Sequence, residues 1–198
     1  MITFPPQYNN PSAIFVEPEF LNNEGVDRFL SLIKNIPYEQ ASIFTGEDND
    51  NHRDSKVKWI PHKDPFLDLY YMCADFINNL NSFNWKFDIT NSKENFQYTE
   101  YNSSVRGHYD WHVDIGPGQT CCRKLSMVIQ LSDPKEYEGG DLLVFDPVVS
   151  KENFPYKKVP KKKGSAILLP SFTPHKVTPV TGGIRKSLVW WVGGIPLK

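Results

Sequence analysis

Cysteine is scarce in this chain: there are three in 198 residues, Cys73, Cys121 and Cys122. They form neither a disulfide framework nor a zinc-ligand spacing, and the adjacent pair Cys121-Cys122 is a poor zinc chelate. Reduced thiols and a cytoplasmic setting are therefore expected. An excess of either charge is also lacking. Lys and Arg number 22 against 23 Asp and Glu, for a net charge of −1, and no basic face stands out, so nucleic acid is not the expected partner. The one basic run, Lys157 to Lys163, reads as a solvated loop or an edge-strand guard. No apolar run approaches the roughly 20 residues that span a bilayer, so no membrane partner is expected. Residues Met1 to Asn10 carry neither the charged start nor the apolar stretch of a secretion signal.

What is present fits one globular domain over residues 1–198, with 39% apolar and 23% charged residues. Aromatics, at 14%, are plentiful enough to wall a pocket. Residues 1–90 read as helical and strand support with a substrate loop. Asn22 or Asn23 can cap a helix whose apolar face is Val26, Phe29, Leu30 and Ile33, with Pro37 as its stop. Asp64 before Pro65 reads as the N-cap of a second helix, with a stripe from Phe66 to Leu80. Between them, the polar stretch Thr45 to Asp54 reads as a mobile loop and a lid.

From about residue 96 the period changes. Short apolar runs at 96–101, 109–115, 124–131, 141–145, 165–169, 176–180 and 185–192 read as strands. Gly139-Gly140, Pro147, Pro170, Pro174 and Gly182-Gly183 read as the breaks between them. Residues 91–198 thus read as a β core. The fold class expected is mostly β with α support (α+β), a jelly roll backed by the N-terminal helices.

The chemistry concentrates in that second half. His112 and Asp114 sit two apart in a strand-like run, where alternate side chains share a face. His175 can complete a set of two imidazoles and one carboxylate. Such a set leaves three positions open on a non-heme Fe(II) ion. A His-x-Asp pair alone says little, because this chain has four: His52/Asp54, His62/Asp64, His108/Asp110 and His112/Asp114. The fourth is preferred because Trp111, Val113 and Ile115 read as buried strand residues around it, whereas His108 follows Gly107 at a loop edge. Arg185, ten residues beyond His175, can pair with a carboxylate in a bidentate way. If Arg185 points inward, Ser187, Val189 and Trp191 do too, which makes Trp191 a pocket wall or a core aromatic.

These motifs resemble a known family. Gln97-Tyr-x-x-Tyr101, Tyr109-x-Trp-His112-x-Asp114, Glu138-Gly-Gly-Asp-Leu142 and His175-x-Val-x-Pro-Val-x-x-Gly-x-Arg185 are similar to the 2-oxoglutarate- and Fe(II)-dependent dioxygenases, in the prolyl-4-hydroxylase branch with its bacterial and phage members. The resemblance implies a double-stranded β-helix with His112, Asp114 and His175 as iron ligands. It implies 2-oxoglutarate and O2 as co-substrates, with ascorbate as the accessory reductant it allows. It assigns the distal carboxylate of 2-oxoglutarate to Arg185 and to Tyr101 or Tyr98. Gln130 stands where some relatives have a tyrosine in that pocket. The segment from His52 to Trp59 is similar to a substrate-side loop, so Arg53 and Trp59, together with Tyr109 and Trp191, are the expected substrate contacts. A proline-containing peptide or protein is the expected substrate. A free amino acid or other small molecule, and a non-catalytic binding module, are the rival readings. Asp114 speaks against a halogenase, which carries a small residue there. Trp191 stands where the nucleic-acid demethylase branch has a second arginine.

Overall fold

The change of period near residue 96 marks the place where helices give way to sheet. The computed structural model describes residues 13–41, 52–90, 92, 94–146 and 156–196. In chain order the elements are β1 (Phe15–Glu17), α1 (Asn23–Leu32), β2 (Glu39–Gln40), β3 (Arg53–Asp54), β4 (Lys56–Ile60), α2 (Leu67–Phe83), β5 (Phe96–Asn102), β6 (His108–His112), β7 (Arg123–Gln130), β8 (Tyr137–Gly139), β9 (Leu142–Phe145), β10 (Tyr156–Lys158), β11 (Ala166–Pro170), β12 (His175–Val177) and β13 (Val180–Gly193). The major sheet runs β1-β11-β7-β13-β5-β4-β2, with β8 paired to β13 off that path. The minor sheet runs β10-β9-β12-β6-β3. All strand pairs are antiparallel. This is the jelly roll that the sequence led us to expect.

The central strands β7 and β11 of the major sheet are buried on both faces, which is why they read as largely apolar runs. One face packs on the helices. Val26, Phe29 and Ile33 from α1 and its C-cap, and Tyr70, Cys73 and Ile77 from α2, meet Tyr98, Met127, Ile129, Leu188 and Trp190 of the sheet. Tyr70 pins α2 there. Its ring stacks on Phe96 at 3.7 Å, and its hydroxyl donates to the Ile60 carbonyl at 2.7 Å while accepting from the Phe96 N–H. The other face meets the minor sheet through Val128, Ile167 and Leu169 against Leu142, Val144 and Val177. The space between the two sheets is where the pocket lies.

Several local expectations are corrected. α1 is capped by Asn22, whose side chain accepts from Gly25 N–H at 2.8 Å, but it ends at Leu32, well before Pro37. Asp64 does not cap α2. The helix starts at Leu67 with Phe66 in the cap position, because Phe66 is buried against Phe29 and that packing fixes the start. The expected lid lies in part outside the described residues; of the rest, Arg53–Asp54 is paired strand, held by β6. Gly182-Gly183 does not interrupt the last strand: β13 passes through both, with β8 as their partner. The basic run behaves as an edge guard. Lys157 and Lys158 lie on edge strand β10, and Lys158 and Lys161 pair with Asp141 at 2.8 and 2.9 Å. Among the described residues, no helix is long and apolar enough to cross a membrane.

Candidate metal centre and oxo-acid pocket

The site begins with a strand pairing. β6 and β12 are neighbours in the minor sheet, and His112 and His175 are direct partners in register. Their rings lie 4.2 Å apart. Asp114 does not share the strand with His112, because β6 ends there and Val113 is turned out to solvent. Asp114 reaches the centre by a bend instead. Its N–H donates to the Ser171 carbonyl at 2.8 Å, and its own carbonyl accepts from Arg123 Nη1 at 2.9 Å. His112 Nε2 is then 3.8 Å from Asp114 Oδ1, and His175 Nε2 is 3.5 Å from Oδ2. One donor atom from each of the three residues falls within 4.8 Å of the others.

The donor set fits a divalent metal. His112 Nδ1 faces the Asp110 carbonyl at 2.7 Å, and His175 Nδ1 faces the Thr173 carbonyl at 2.9 Å. A carbonyl only accepts, so each Nδ1 carries the proton and each Nε2 turns a lone pair to the centre. Burial, reinforced by the neighbouring His175, holds the His112 imidazole neutral. Burial alone would raise the Asp114 carboxyl. A proton taken up by the facing His175 or His112 ring would outweigh it, and the Ser126 hydroxyl and the nearby Trp191 indole add to that lowering, so the carboxyl lies below its ordinary range. A charged carboxylate beside two imidazole lone pairs aimed at the same centre is the ligand form. Tyr109 stacks on His112 at 3.4 Å, and Arg53 Cζ sits 4.6 Å from the Tyr109 ring centroid. Burial pushes the Tyr109 hydroxyl up to about 12.

These three residues line one side of a cavity of about 230 Å³. Arg185 lines the same cavity and is 1% exposed. Its Nη2 donates to Gln130 Oε1 at 3.0 Å and its Nη1 to Ser187 Oγ at 3.3 Å, while Nε is buried without a partner. Among the described residues no carboxylate pairs with this guanidinium. A buried cation without a counter-charge is costly, so it is a built receptor for an anion. Tyr101 lies opposite it in register, with the guanidinium carbon 5.4 Å from its ring. Tyr98 does not reach the cavity. Its side chain falls on the helix side and its hydroxyl donates to Glu100, as strand alternation requires. Gln130 lies behind Arg185 and fixes its orientation rather than lining the space.

The remaining expected contacts converge. Arg53, Trp59, Tyr109 and Trp191 all line the same cavity. The expected parity along β13 holds: Arg185, Ser187, Val189 and Trp191 face the cavity, and Leu188 and Trp190 face the helices. Three neighbours of the site were not anticipated. Ser126 was legible from alternation with Val128 and Gln130. Tyr137, near Arg185, and Arg123 were not. Arg123 faces the cavity because the β7–β13 register shifts between Val192 and Gly193, so a bulge at Lys124 re-aims it.

Two facing sheets with a His-Asp-His cluster between them define a class, and the comparisons agree with it. Residues 96–193 match the family model described as the 2OG-Fe(II) oxygenase superfamily. Similar relatives are the PKHD-type hydroxylase YbiX of Escherichia coli, 36% identical over 98 residues, and a PKHD-type hydroxylase of Janthinobacterium sp., 40% identical over 91. Those matches span 49% and 43% of this chain, and 41% and 38% of the relatives, so the matched segment is less than half their length. Among solved structures, a Trichoplax adhaerens prolyl hydroxylase in complex with a hypoxia inducible factor peptide fragment has a TM-score of 0.73 at 17% identity, covering 93% of this chain and 84% of that one. A Pseudomonas putida prolyl-4-hydroxylase has a TM-score of 0.68 at 18% identity, covering 92% and 93%. At these identities the likeness establishes the shared fold.

Proposed function

We propose that this chain is an Fe(II)- and 2-oxoglutarate-dependent hydroxylase acting on a prolyl residue of a peptide or protein. The observation that carries this reading is a single cavity lined by three metal-donor side chains and by a buried guanidinium with no counter-charge among the described residues. Iron bound by His112, Asp114 and His175 would supply oxygen activation coupled to oxidative decarboxylation of 2-oxoglutarate, yielding succinate, CO2 and a hydroxylated product. The protein's own residues bind, orient and exclude water. Arg185, held by Gln130 and Ser187, receives the distal carboxylate, with Tyr101 beside it. Leu142, Val128, Val177 and Val189 give that end of the cavity its dry walls. The aromatic faces of Trp59, Tyr109 and Trp191 suit a flat, weakly polar ring, and Arg53 adds a donor at the same end. The three free cysteines support a reducing, cytoplasmic setting.

The test is succinate release from 2-oxoglutarate in the presence of Fe(II) and O2, scored against a panel of prolyl peptides and free metabolites. The expected product is a peptide heavier by one oxygen atom, on proline. Turnover confined to free amino acids or other small molecules would transfer the same core to a different substrate class. Absence of succinate, with metal bound, would leave a binding module.

A further inference from the structure

We propose that Arg123 is a positioning residue for the metal-binding carboxylate, holding Asp114 from behind while bracing the Trp191 wall. The inference rests on reading His112, Asp114 and His175 as metal ligands. Asp114 needs such a device because it lies beyond the end of β6, where no ladder bonds hold it. Its N–H is tied to Ser171, and its carbonyl is tied to Arg123. Arg123 is fully committed by its surroundings. Nε donates to Glu94 Oε1 at 2.7 Å, Nη2 donates to Glu94 Oε2, Nη1 donates to the Asp114 carbonyl, and Cζ lies 3.9 Å from the Trp191 ring centroid.

Glu94 is itself anchored, because its backbone carbonyl accepts from Trp190 Nε1 at 3.0 Å. The guanidinium therefore stands between a fixed carboxylate, a fixed indole and the peptide of a metal ligand. Trp191 Nε1 is buried without a hydrogen-bond partner among the described residues, so its ring is braced by the guanidinium stacked on it. Arg123 thus joins the Asp114 peptide to Glu94 and to the Trp191 ring it stacks on. A bidentate fork with a free third N–H and a flat face is specific to arginine, and lysine offers none of that combination.

Co(II) titration of the metal-free protein, followed by its visible absorption spectrum, tests this without turnover. The wild-type chain should bind Co(II), and His112→Ala should not. Arg123→Met should weaken Co(II) binding by about 10–100-fold and alter the absorption bands, as removal of groups that orient metal ligands typically does. Arg123→Lys, which keeps the charge beside Glu94, should recover only part of the affinity. Glu94→Gln should shift affinity in the same direction by a few-fold; if Arg123→Met does not fold, the Lys and Gln variants decide. Wild-type affinity and an unchanged spectrum in those variants, whether or not they lose thermal stability, overturn the positioning role. So does a rise in peptide KM alone, which would make Arg123 a substrate-binding group. A wild-type chain that takes up no Co(II) overturns the metal reading itself.

Discussion

His108 and His112 lie on one strand, four residues apart, with different surroundings. His108 Nδ1 faces the Arg106 carbonyl at 3.1 Å and its backbone pairs with Asp54, so it belongs to the rim of the minor sheet. His112 turns Nε2 to the shared centre. His112→Ala is expected to lower metal affinity and turnover by more than about 100-fold, beyond the range seen when only an orienting partner of a ligand is lost. His108→Ala should keep most of both. Iron content and succinate release in the two variants check this, and an iron-free His108→Ala would show the site to be misread. Arg185 gives a second residue-scale expectation. Arg185→Ala should remove about 2–5 kcal/mol of a buried charge-assisted pair, raising the 2-oxoglutarate requirement by more than about 30-fold. Arg185→Lys should restore part of it, because a point charge replaces a planar fork. Gln130→Glu places a carboxylate beside the same guanidinium and should also raise the requirement, by supplying from within the anion that the pocket takes from solution. Steady-state kinetics in 2-oxoglutarate separates these variants, and an unaltered requirement in Arg185→Ala would remove this residue from the pocket.

At the scale of the element, β13 depends on a glycine that the sequence suggested was a break. Gly183 has φ +67°, and a Cβ there would stand 2.0 Å from the Glu136 carbonyl oxygen. Gly183→Ala therefore combines a disfavoured backbone with a backbone clash. It should cost about 2 kcal/mol, a fall in Tm of roughly 4–8 °C by calorimetry. The same positions show what the sequence could and could not disclose. Seven of the nine strands from residue 96 onward were legible because they carry apolar runs and turns with Gly or Pro, whereas β8 and β10, three residues each, were not. The three donor residues and Arg185 were legible because few side chains can do that chemistry. β3 was not, since a two-residue strand exists only by pairing with Tyr109 and His108, more than fifty residues away. The start of α2 was set by where Phe66 docks, not by Asp64. Arg123 was hidden by a bulge, which alternation cannot reveal. Tyr98 and Tyr101 were equal in sequence, and only the register of β5 against Arg185 separates them.

At the scale of the whole molecule, the centre ties the two sheets together. His112 and His175 come from the minor sheet. Asp114 is tethered at its N–H to Ser171, which follows β11, and at its carbonyl to Arg123, which opens β7, both strands of the major sheet. A divalent ion held by all three would link the layers at the open end of the pocket, where the sheets share no ladder bonds. Such an ion binds the folded chain and not the unfolded one, so it should stabilise by mass action. At a free Co(II) concentration about 100 times its Kd, the expected gain is about 2.7 kcal/mol. That corresponds to a rise in Tm of roughly 5–11 °C for a chain of this size. Asp114→Ala and His175→Ala should each lose that rise. Arg185→Ala should keep it, since Arg185 is not among the three clustered donor residues. Adding 2-oxoglutarate to the Co(II)-loaded protein should raise Tm further in the wild type but hardly in Arg185→Ala. Thermal melts with and without each ligand distinguish the two parts of the site. A Co(II)-dependent rise that persists in Asp114→Ala would place the ion elsewhere on the chain.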